Sequence, residues 1–310
     1  MKLVVMIPAH NEERTITEVI KEIPGNAAEK VEVLVINDGS TDKTSEIAKE
    51  AGARVIDLKR NIGLGNAFRE GLDTALGMNA DIIVNIDADG QYNPKEIPKL
   101  IEPLLGGGAD IVLGSRFNGS IEYMPLHKRI GNKLMTRVTS GVSGIALSDS
   151  QTGFRAFSRE AALRLNTIFN YTYVQETIIQ AANKGLKVIE VPCEFRRRDG
   201  KSRLISNIFL YAKQAISIIL RTYLNHKPLK VFLYIGGFVF FLGAIFGSSV
   251  LYRYFQTGLV SPYYPTTILT AVLIIVGFQI IMLGLLADII NNNRRLMEEI
   301  MYRLKDKRIL

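Results

Sequence analysis

The stretch Asp81–Pro94 reads DIIVNIDADGQYNP, an apolar run rich in β-branched residues that ends in two carboxylates one residue apart. The run Ile82–Ile86 predicts a buried strand of a parallel sheet. Side chains alternate along a strand, so Asp87 and Asp89 are expected to point the same way where the chain leaves the sheet. Sheets of α/β proteins bind ligands beyond the carboxyl ends of their strands, which is where this pair lies.

The two carboxylates and the amide of Gln91 supply hard oxygen ligands. Such ligands suit Mg²⁺ or Mn²⁺ shared with a diphosphate better than they suit zinc. The metal ligands predicted from this stretch are therefore Asp87, Asp89 and Gln91. A solvated acidic turn is the alternative, and one D-x-D motif does not by itself exclude it.

The residues after this turn predict a helix. Asn93 matches an N-cap, Pro94 the first helical position and Glu96 the residue that closes a capping box. Because Pro98 and Pro103 fit poorly in a helix interior, we expect this helix to be short or broken.

Strand and helix patterns alternate along most of the chain. The predicted strands are Leu3–Ile7, Val31–Ile36, Ala53–Asp57, Ile82–Ile86, Ile111–Leu113 and Val188–Phe195. Helical patterns between them cover Asn11–Ile23, Thr44–Glu50, a segment ending near Met78, one starting near Arg159, and Tyr171–Lys184. This alternation predicts an α/β fold with a mostly parallel, Rossmann-like sheet and helices on both faces.

Polar loops follow the predicted strands at residues 9–13, 37–42, 87–91 and 114–116, and a functional site is expected there. The segment Gly63–Gly65 resembles a phosphate-binding loop. It lacks the third glycine of a dinucleotide motif and the lysine of a P-loop, so no cofactor is assigned to it.

The composition bears on the compartment and the partners. The single Cys193 excludes an intrachain disulfide and gives no support for a cysteine-based metal site. The formal net charge of +8 suits either nucleic acid or an anionic membrane surface. Because two apolar segments already require a bilayer, we attribute the charge to the membrane and predict no nucleic-acid partner.

The two apolar segments are Val231–Tyr252 and Thr266–Ile290, and each has the roughly 20 residues that a membrane helix needs. Basic residues flank the pair on both outer sides, whereas the loop between them carries one. By the positive-inside rule, both termini and the α/β domain are predicted to be cytoplasmic. We therefore predict two transmembrane helices within residues 227–290 and a basic helical tail over 291–310 that can pack against another copy in a homo-oligomer.

Two amphipathic segments also precede the bilayer. Residues 122–139 place Lys128, Arg129, Lys133 and Arg137 among apolar residues at helical spacing, and residues 204–226 form a second such pattern. Basic amphipathic helices of this kind lie on anionic bilayers. An ordinary surface helix with a solvated basic face is the alternative for residues 122–139.

Six motifs follow one another along the chain in an order that resembles a known protein family. They are IPAHNEE (7–13), INDGSTD (36–42), DADGQYNP (87–94), GSRF (114–117), QTGFR (151–155) and RRDGKSR (197–203). Together with two spans, this set resembles the family 2 glycosyltransferases of GT-A fold, most closely the polyprenyl-phosphate (dolichyl-phosphate) hexose synthases. The resemblance implies a catalytic domain over residues 1–203 and a metal-dependent transfer of hexose from a nucleotide sugar to a polyprenyl phosphate.

The resemblance also implies roles for particular residues. Those expected to bind the nucleotide sugar are Pro8, Ala9, His10, Glu12, Asp38, Asp87, Arg155 and Ser202. Those expected to bind the lipid phosphate are Arg116, Lys128, Arg129 and Asn132, and the catalytic set is Asp89, Arg116 and Arg197. Three positions depart from the family pattern and leave the donor open, namely His10 for tyrosine, Gly90 for leucine and Arg203 for lysine.

A phosphate acceptor removes the need for a general base in the transfer reaction. Its second pKa of about 6 makes it largely dianionic at neutral pH, so no dedicated general base is required. Glu176 is the candidate if one exists. In-line attack opposite the diphosphate predicts inversion at the anomeric carbon, with GDP-mannose, UDP-glucose or a UDP-N-acetylhexosamine as donor.

Other functions fit the sequence less well. A processive polysaccharide synthase resembles its relatives in a Gln-x-x-Arg-Trp element and additional spans, whereas this chain has no tryptophan. An inactive membrane-anchored nucleotide-sugar binder would not need Asp87, Asp89, Arg116 and the basic turn at residues 196–203. A transporter would need more than two spans to enclose a path.

Overall fold

The computed structural model describes residues 1–167, 173–197 and 228–307. The predicted segment 204–226, Ser202 and Arg203 lie outside the described residues. The described chain divides into two compact units: residues 1–197 with 301–307, and residues 228–300.

The strands of the first unit form a seven-stranded sheet in the order β3-β2-β1-β4-β6-β5-β7. Neighbouring strands pair in parallel except β6, which is antiparallel to both β4 and β5. The mostly parallel α/β fold is therefore confirmed. The strands are β1 Lys2–Ala9, β2 Lys30–Asn37, β3 Arg54–Asp57, β4 Ile82–Asn85, β5 Ile111–Ile121, β6 Arg155–Ser158 and β7 Val188–Phe195.

Helices cover both faces of this sheet. They are α1 Ile16–Lys21, α2 Thr44–Glu50, α3 Leu64–Gly77, α4 Ile97–Leu105, α5 Leu126–Ser143, α6 Arg159–Arg164 and α7 Val174–Asn183, with a 3₁₀ turn at Pro94–Glu96.

Strand β1 shows how the alternation of side chains builds two cores. Leu3, Val5 and Ile7 join one buried cluster with residues of α1 and α4. Val4 and Met6 join the other with residues of α3, α6 and α7. Each fully buried side chain of this size contributes about 1.5–3 kcal/mol, so both faces of the strand stabilise the sheet.

Strand β6 was not predicted, since residues 150–155 were expected to form a loop that leads to a helix near Arg159. Its four residues carry no strong strand pattern, and the strand exists because Ala156 lies between Val84 of β4 and Val112 of β5. Helix α1 also begins later than predicted, at Ile16, because Asn11 has a φ of 55° and the chain turns there.

The helix after the acidic turn is short, as predicted. Asn93 caps the 3₁₀ turn by accepting a hydrogen bond from the backbone N–H of Lys95. The predicted capping box is wrong, because Glu96 Oε2 instead accepts a hydrogen bond from the backbone N–H of Glu194 at 2.7 Å. Pro98 is tolerated in the first turn of α4, where its missing N–H has no helical partner.

Strand β5 is longer than predicted and displaces the start of the next helix. It pairs with β7 as far as Ile121 opposite Phe195. A Cβ atom at Gly119 would lie 2.0 Å from the carbonyl oxygen of Cys193, so only glycine allows this pairing. The predicted helix start at Glu122 is therefore wrong, and α5 begins at Leu126.

The second unit consists of α8 (Pro228–Thr257) and most of α9 (Tyr264–Lys307), which are long and apolar enough to cross a membrane. Both predicted spans lie within them. Glycines bring the two helices close together: a Cβ atom at Gly236 would lie 2.8 Å from the carbonyl oxygen of Gly277. Small residues at such contacts are typical of packed membrane helices.

The last turns of α9 belong to the first unit and contact its helices. The Tyr302 hydroxyl donates to Glu160 Oε2 at 3.0 Å. Lys305 Nζ lies 2.8 Å from Asp73 Oδ1. The tail is thus helical through Lys307 and packs on its own chain.

Candidate active site

The carboxyl ends of β1, β2, β4 and β5 lie at the same edge of the sheet, because these strands run in the same direction. In the parallel pairing of β1 with β2, Ala9 lies opposite Asn37. The backbone N–H of Asp38 donates to the Ala9 carbonyl at 2.8 Å. The polar loops singled out in the sequence are therefore neighbours at this edge.

Hydrogen bonds join the loop after β1 to the loop after β2 and to the first residue of α2. His10 Nδ1 lies 2.8 Å from the Asp38 carbonyl oxygen. The backbone N–H groups of Asn11 and Glu12 donate to Ser40 Oγ and Thr44 Oγ1, each at 2.9 Å. Pro8, Ala9, His10 and Glu12, predicted to bind the nucleotide sugar, thus belong to one fixed wall of the site.

Asp38 is almost fully buried, with 5% of its surface exposed. Its Oδ1 accepts from the backbone N–H of Ile62 at 2.7 Å and its Oδ2 from that of Gly63 at 3.1 Å. The carboxylate therefore holds the 61–63 loop against the site instead of standing free. Gly39 permits this contact, because a Cβ atom there would lie 2.4 Å from the carbonyl carbon of Arg60.

The acidic turn lies half-buried beside this wall. Asp89 Oδ1 accepts from the backbone N–H of Gln91 at 3.1 Å. A Cβ atom at position 153 would lie 2.5 Å from Asp87 Oδ2, so the Asp87 carboxylate packs directly against Gly153. The hydroxyl of Thr15 donates to the Ala88 carbonyl at 2.7 Å, which ties the turn to the start of α1.

The donor set of this turn fits a hard divalent cation. Among the residues the structure describes, no group of three or more His, Cys, Asp or Glu side chains could hold a metal ion. A closed cage made only by these residues is thereby excluded. Two carboxylates and one amide oxygen instead suit Mg²⁺ or Mn²⁺ that completes its coordination on a phosphate ligand and water.

Arg116 is buried at the end of the parallel part of β5 and is held by Asp149. Its Nε donates to Asp149 Oδ2 at 2.6 Å and its Nη2 to Oδ1 at 2.9 Å. Its guanidinium also lies 5.1 Å from the centre of the Phe195 ring. Burial alone lowers the pKa of Arg116, but its hydrogen bonds to Asp149 and the negative charge of that carboxylate outweigh this effect and raise the pKa above its ordinary value.

A cavity of about 330 Å³ opens beside Arg116. Arg129 and Tyr123 line it as well, and the Arg197 guanidinium lies 5.5 Å from the centre of the Tyr123 ring. Two predicted cations, Arg116 and Arg129, thus line one cavity, and Arg197 lies against one of its lining residues, Tyr123. Lys128 and Asn132, predicted with them, lie on the same helix but not among the lining residues.

The acidic turn and this cavity are adjacent. The backbone N–H of Arg196 donates to the Gln91 carbonyl at 2.7 Å, and Arg197 follows directly. On the other side, the loop 149–153 carries both Asp149, which binds Arg116, and Gly153, which packs on Asp87.

Two predicted residues are located inside the protein. Arg155 has no exposed surface, and its guanidinium donates to the carbonyl groups of Thr152, Val174 and Ser150 at 2.8–2.9 Å. We therefore revise its role from binding the nucleotide sugar to supporting the 149–153 loop. Burial also lowers its pKa. Glu176 is only 2% exposed and accepts from Gln180 Nε2 at 3.1 Å, which disfavours it as a general base.

Sequence reasoning missed Asp149, Tyr92 and Glu190. The Tyr92 hydroxyl accepts from the backbone N–H of Gly153 at 3.0 Å, and burial raises its pKa. Asp149 binds Arg116 from a separate loop, and Glu190 binds that loop from β7. The composition of Ser148–Gly153 was the available signal, since it is polar and loop-like, but nothing in it indicates these partners.

Comparison with known proteins agrees with this fold. Residues 4–165 match the family described as Glycosyl transferase family 2, and residues 227–292 match the GtrB C-terminal hairpin. The resemblance inferred from the six motifs is thereby confirmed.

Two curated relatives carry informative names. The chain is 34% identical to a UDP-N-acetylglucosamine–dolichyl-phosphate N-acetylglucosaminyltransferase of Methanococcus voltae, over 60% of this chain and 82% of the relative. It is 33% identical to a dolichyl-phosphate hexose transferase of Haloferax volcanii, over 65% of this chain and 86% of the relative.

Solved structures include the same fold. Glucosyl-3-phosphoglycerate synthase of Mycobacterium tuberculosis, crystallised with Mn²⁺, UDP-glucose and phosphoglyceric acid, superposes with a TM-score of 0.58 at 25% identity. The match covers 72% of this chain and 79% of that one.

Proposed function

Because the chain belongs to glycosyl transferase family 2, we propose that it transfers a hexose from a nucleotide sugar to a polyprenyl or dolichyl phosphate, with inversion at the anomeric carbon. The observation that carries this proposal is the cavity lined by Arg116 and Arg129, next to the Asp87–Asp89 turn. Cations on one side and paired carboxylates on the other suit a phosphate acceptor and a metal-bound diphosphate donor.

The donor lies at the wall formed by Pro8, Ala9, His10 and Glu12, with Asp38 and the 61–63 loop shaping its edge. Asp87, Asp89 and Gln91 would hold Mg²⁺ or Mn²⁺ at this edge of the sheet. The bound metal supplies charge neutralisation for the leaving nucleoside diphosphate. The name of one relative gives UDP-N-acetylglucosamine as its donor, and the name of the other gives a hexose as the transferred sugar, which favours a UDP-N-acetylhexosamine or another nucleotide hexose.

The acceptor phosphate binds the free edge of the Arg116 guanidinium. Asp149 takes two of its N–H groups, and the others have no hydrogen-bond partner among the described residues. A phosphate oxygen attacks the anomeric carbon while the bond from that carbon to the diphosphate breaks. Arg197, whose guanidinium lies 5.5 Å from the centre of the Tyr123 ring, neutralises charge on the phosphates.

Exposed apolar residues on α5 support a lipid acceptor. Leu126, Ile130 and Leu134 follow one another at intervals of four and are 72%, 60% and 59% exposed. Lys128, Lys133 and Arg137 lie on the same helix. Such a helix suits the surface of an anionic bilayer. With α8 and α9 as spans, the chain is an integral membrane protein whose catalytic unit and termini are cytoplasmic.

A donor panel tests the proposal. Protein purified in detergent is incubated with labelled GDP-mannose, UDP-glucose or UDP-N-acetylglucosamine, a polyprenyl phosphate together with phosphoglyceric acid, and Mg²⁺, Mn²⁺ or chelator. We expect metal-dependent label in the lipid phase from one donor. Label found only in a polymer indicates a polysaccharide synthase, and label found only on phosphoglyceric acid indicates a soluble acceptor; either result contradicts the proposal.

A further inference from the structure

Glu190 on β7 organises the loop that binds Arg116. Its Oε1 accepts from the backbone N–H of Asp149 at 2.8 Å, and its Oε2 accepts from the backbone N–H of Ser148 at 2.8 Å. The Ser148 hydroxyl also donates to Oε2 at 2.8 Å. One carboxylate therefore fixes two successive peptide groups and one side chain of the loop.

This loop fixes Arg116 by two routes. Asp149 has no exposed surface and receives the Arg116 guanidinium on both carboxylate oxygens. The Ser148 hydroxyl, oriented toward Glu190, lies 2.6 Å from Ser115 Oγ, directly before Arg116 in β5. Both side chain and backbone of the arginine are thus positioned by groups that Glu190 holds.

We propose that Glu190 is a positioning residue for acceptor binding, which sets the orientation of the Arg116 guanidinium through Ser148 and Asp149 without contacting substrate. The inference rests on the proposed acceptor role of Arg116. The position of Glu190 requires a carboxylate, because three hydrogen-bond donors point at its two oxygens. An amide of the same shape turns an N–H₂ group toward one of those donors.

The test is Glu190→Gln in the full-length protein. The expected result is a rise of about tenfold in KM for polyprenyl phosphate, the size that follows from losing one charge-assisted hydrogen bond. The expected KM for the nucleotide sugar is unchanged. If Glu190 were purely structural, its substitution would lower the thermal midpoint and kcat together, and the KM values for the two substrates would not change differently.

Asp110→Asn is the matched control. Asp110 Oδ2 accepts from the backbone N–H of Lys187 at 2.8 Å, which is also a bond from a carboxylate to a backbone N–H group but does not involve the loop that holds Arg116. We expect this variant to keep both KM values at the wild-type level.

A double-mutant cycle with Arg116→Lys separates the inference from the proposed function. If Glu190 acts through Arg116, the double variant is no worse than Arg116→Lys alone, whichever substrate Arg116 binds. Additive losses overturn the positioning role. If Arg116→Lys changes the KM for the donor and leaves the KM for the acceptor unchanged, Arg116 does not bind the acceptor. The double-mutant cycle still tests whether Glu190 acts through Arg116.

Discussion

Gly153 packs directly against the carboxylate of Asp87, because a Cβ atom at position 153 would lie 2.5 Å from Asp87 Oδ2. Gly153→Ala must therefore displace Asp87 or the 149–153 loop. A displacement near 1 Å at a reacting centre costs about a hundredfold in rate. We expect a loss of this order in kcat, with a raised metal concentration for half-maximal activity.

The control for that variant is Gly77→Ala at the end of α3, where nothing lies within 4 Å of the added atom. Steady-state assays across a Mn²⁺ titration measure both. Wild-type activity in Gly153→Ala would mean that the turn adjusts freely and that Asp87 needs no fixed position.

Asp89→Ala removes one of the two carboxylates of the acidic turn. We expect transfer to be lost while the thermal midpoint changes little, because Asp89 is partly exposed and is not part of the buried core. Glu102→Ala, an exposed acid on α4, is the control. Undiminished transfer by Asp89→Ala would exclude the metal role of this residue.

Arg116→Lys keeps the charge but loses the planar fork that binds Asp149 and the acceptor. We expect KM for lipid phosphate to rise about tenfold, which corresponds to one lost charged hydrogen bond. Arg116→Ala is a poorer test, because leaving Asp149 buried and unpaired costs about 3–5 kcal/mol of stability. Arg69→Lys on the exposed side of α3 is the control, and kinetics at fixed donor measure both.

Ile130→Glu places a charge in the exposed apolar row of α5. We expect slower transfer to a long-chain polyprenyl phosphate in vesicles and unchanged transfer to a short-chain acceptor in detergent, because only the first needs the helix on the bilayer. Leu105→Glu is the matched control, since Leu105 is 55% exposed on α4. Equal losses with both acceptors would point to damage inside the site.

Asp57 predicts a pH dependence of stability. Hydrogen bonds from Asn37 and then from Lys49 lower its pKa from 3.8 to about 2. A depressed folded pKa means that this carboxylate stabilises the fold fully above its unfolded pKa and loses the effect as pH falls through the folded pKa. The difference in thermal midpoint between wild type and Asp57→Asn should thus be constant above pH 4 and shrink toward pH 2; a constant difference throughout contradicts the assignment.

Local patterns were enough to predict most of the sheet and the acidic turn. The run before Asp87 forms a buried strand because its β-branched residues favour both burial and an extended backbone. Asn93 and Pro94 determine where the following 3₁₀ turn begins. The capping role of Glu96 failed because a backbone group 98 positions away, at Glu194, competes for its carboxylate.

The amino-acid sequence by itself determined the alternation of strands and helices, the two apolar helices and the motifs that mark the family, since all of these depend on residues close together in the chain. Only the tertiary structure decided that β6 enters the sheet antiparallel, that Arg155 is buried, and that Arg116 is held by Asp149, 33 positions away. Those outcomes depend on which distant polar groups share one buried space. Unpaired donors and acceptors there are costly, and no local pattern encodes their partners.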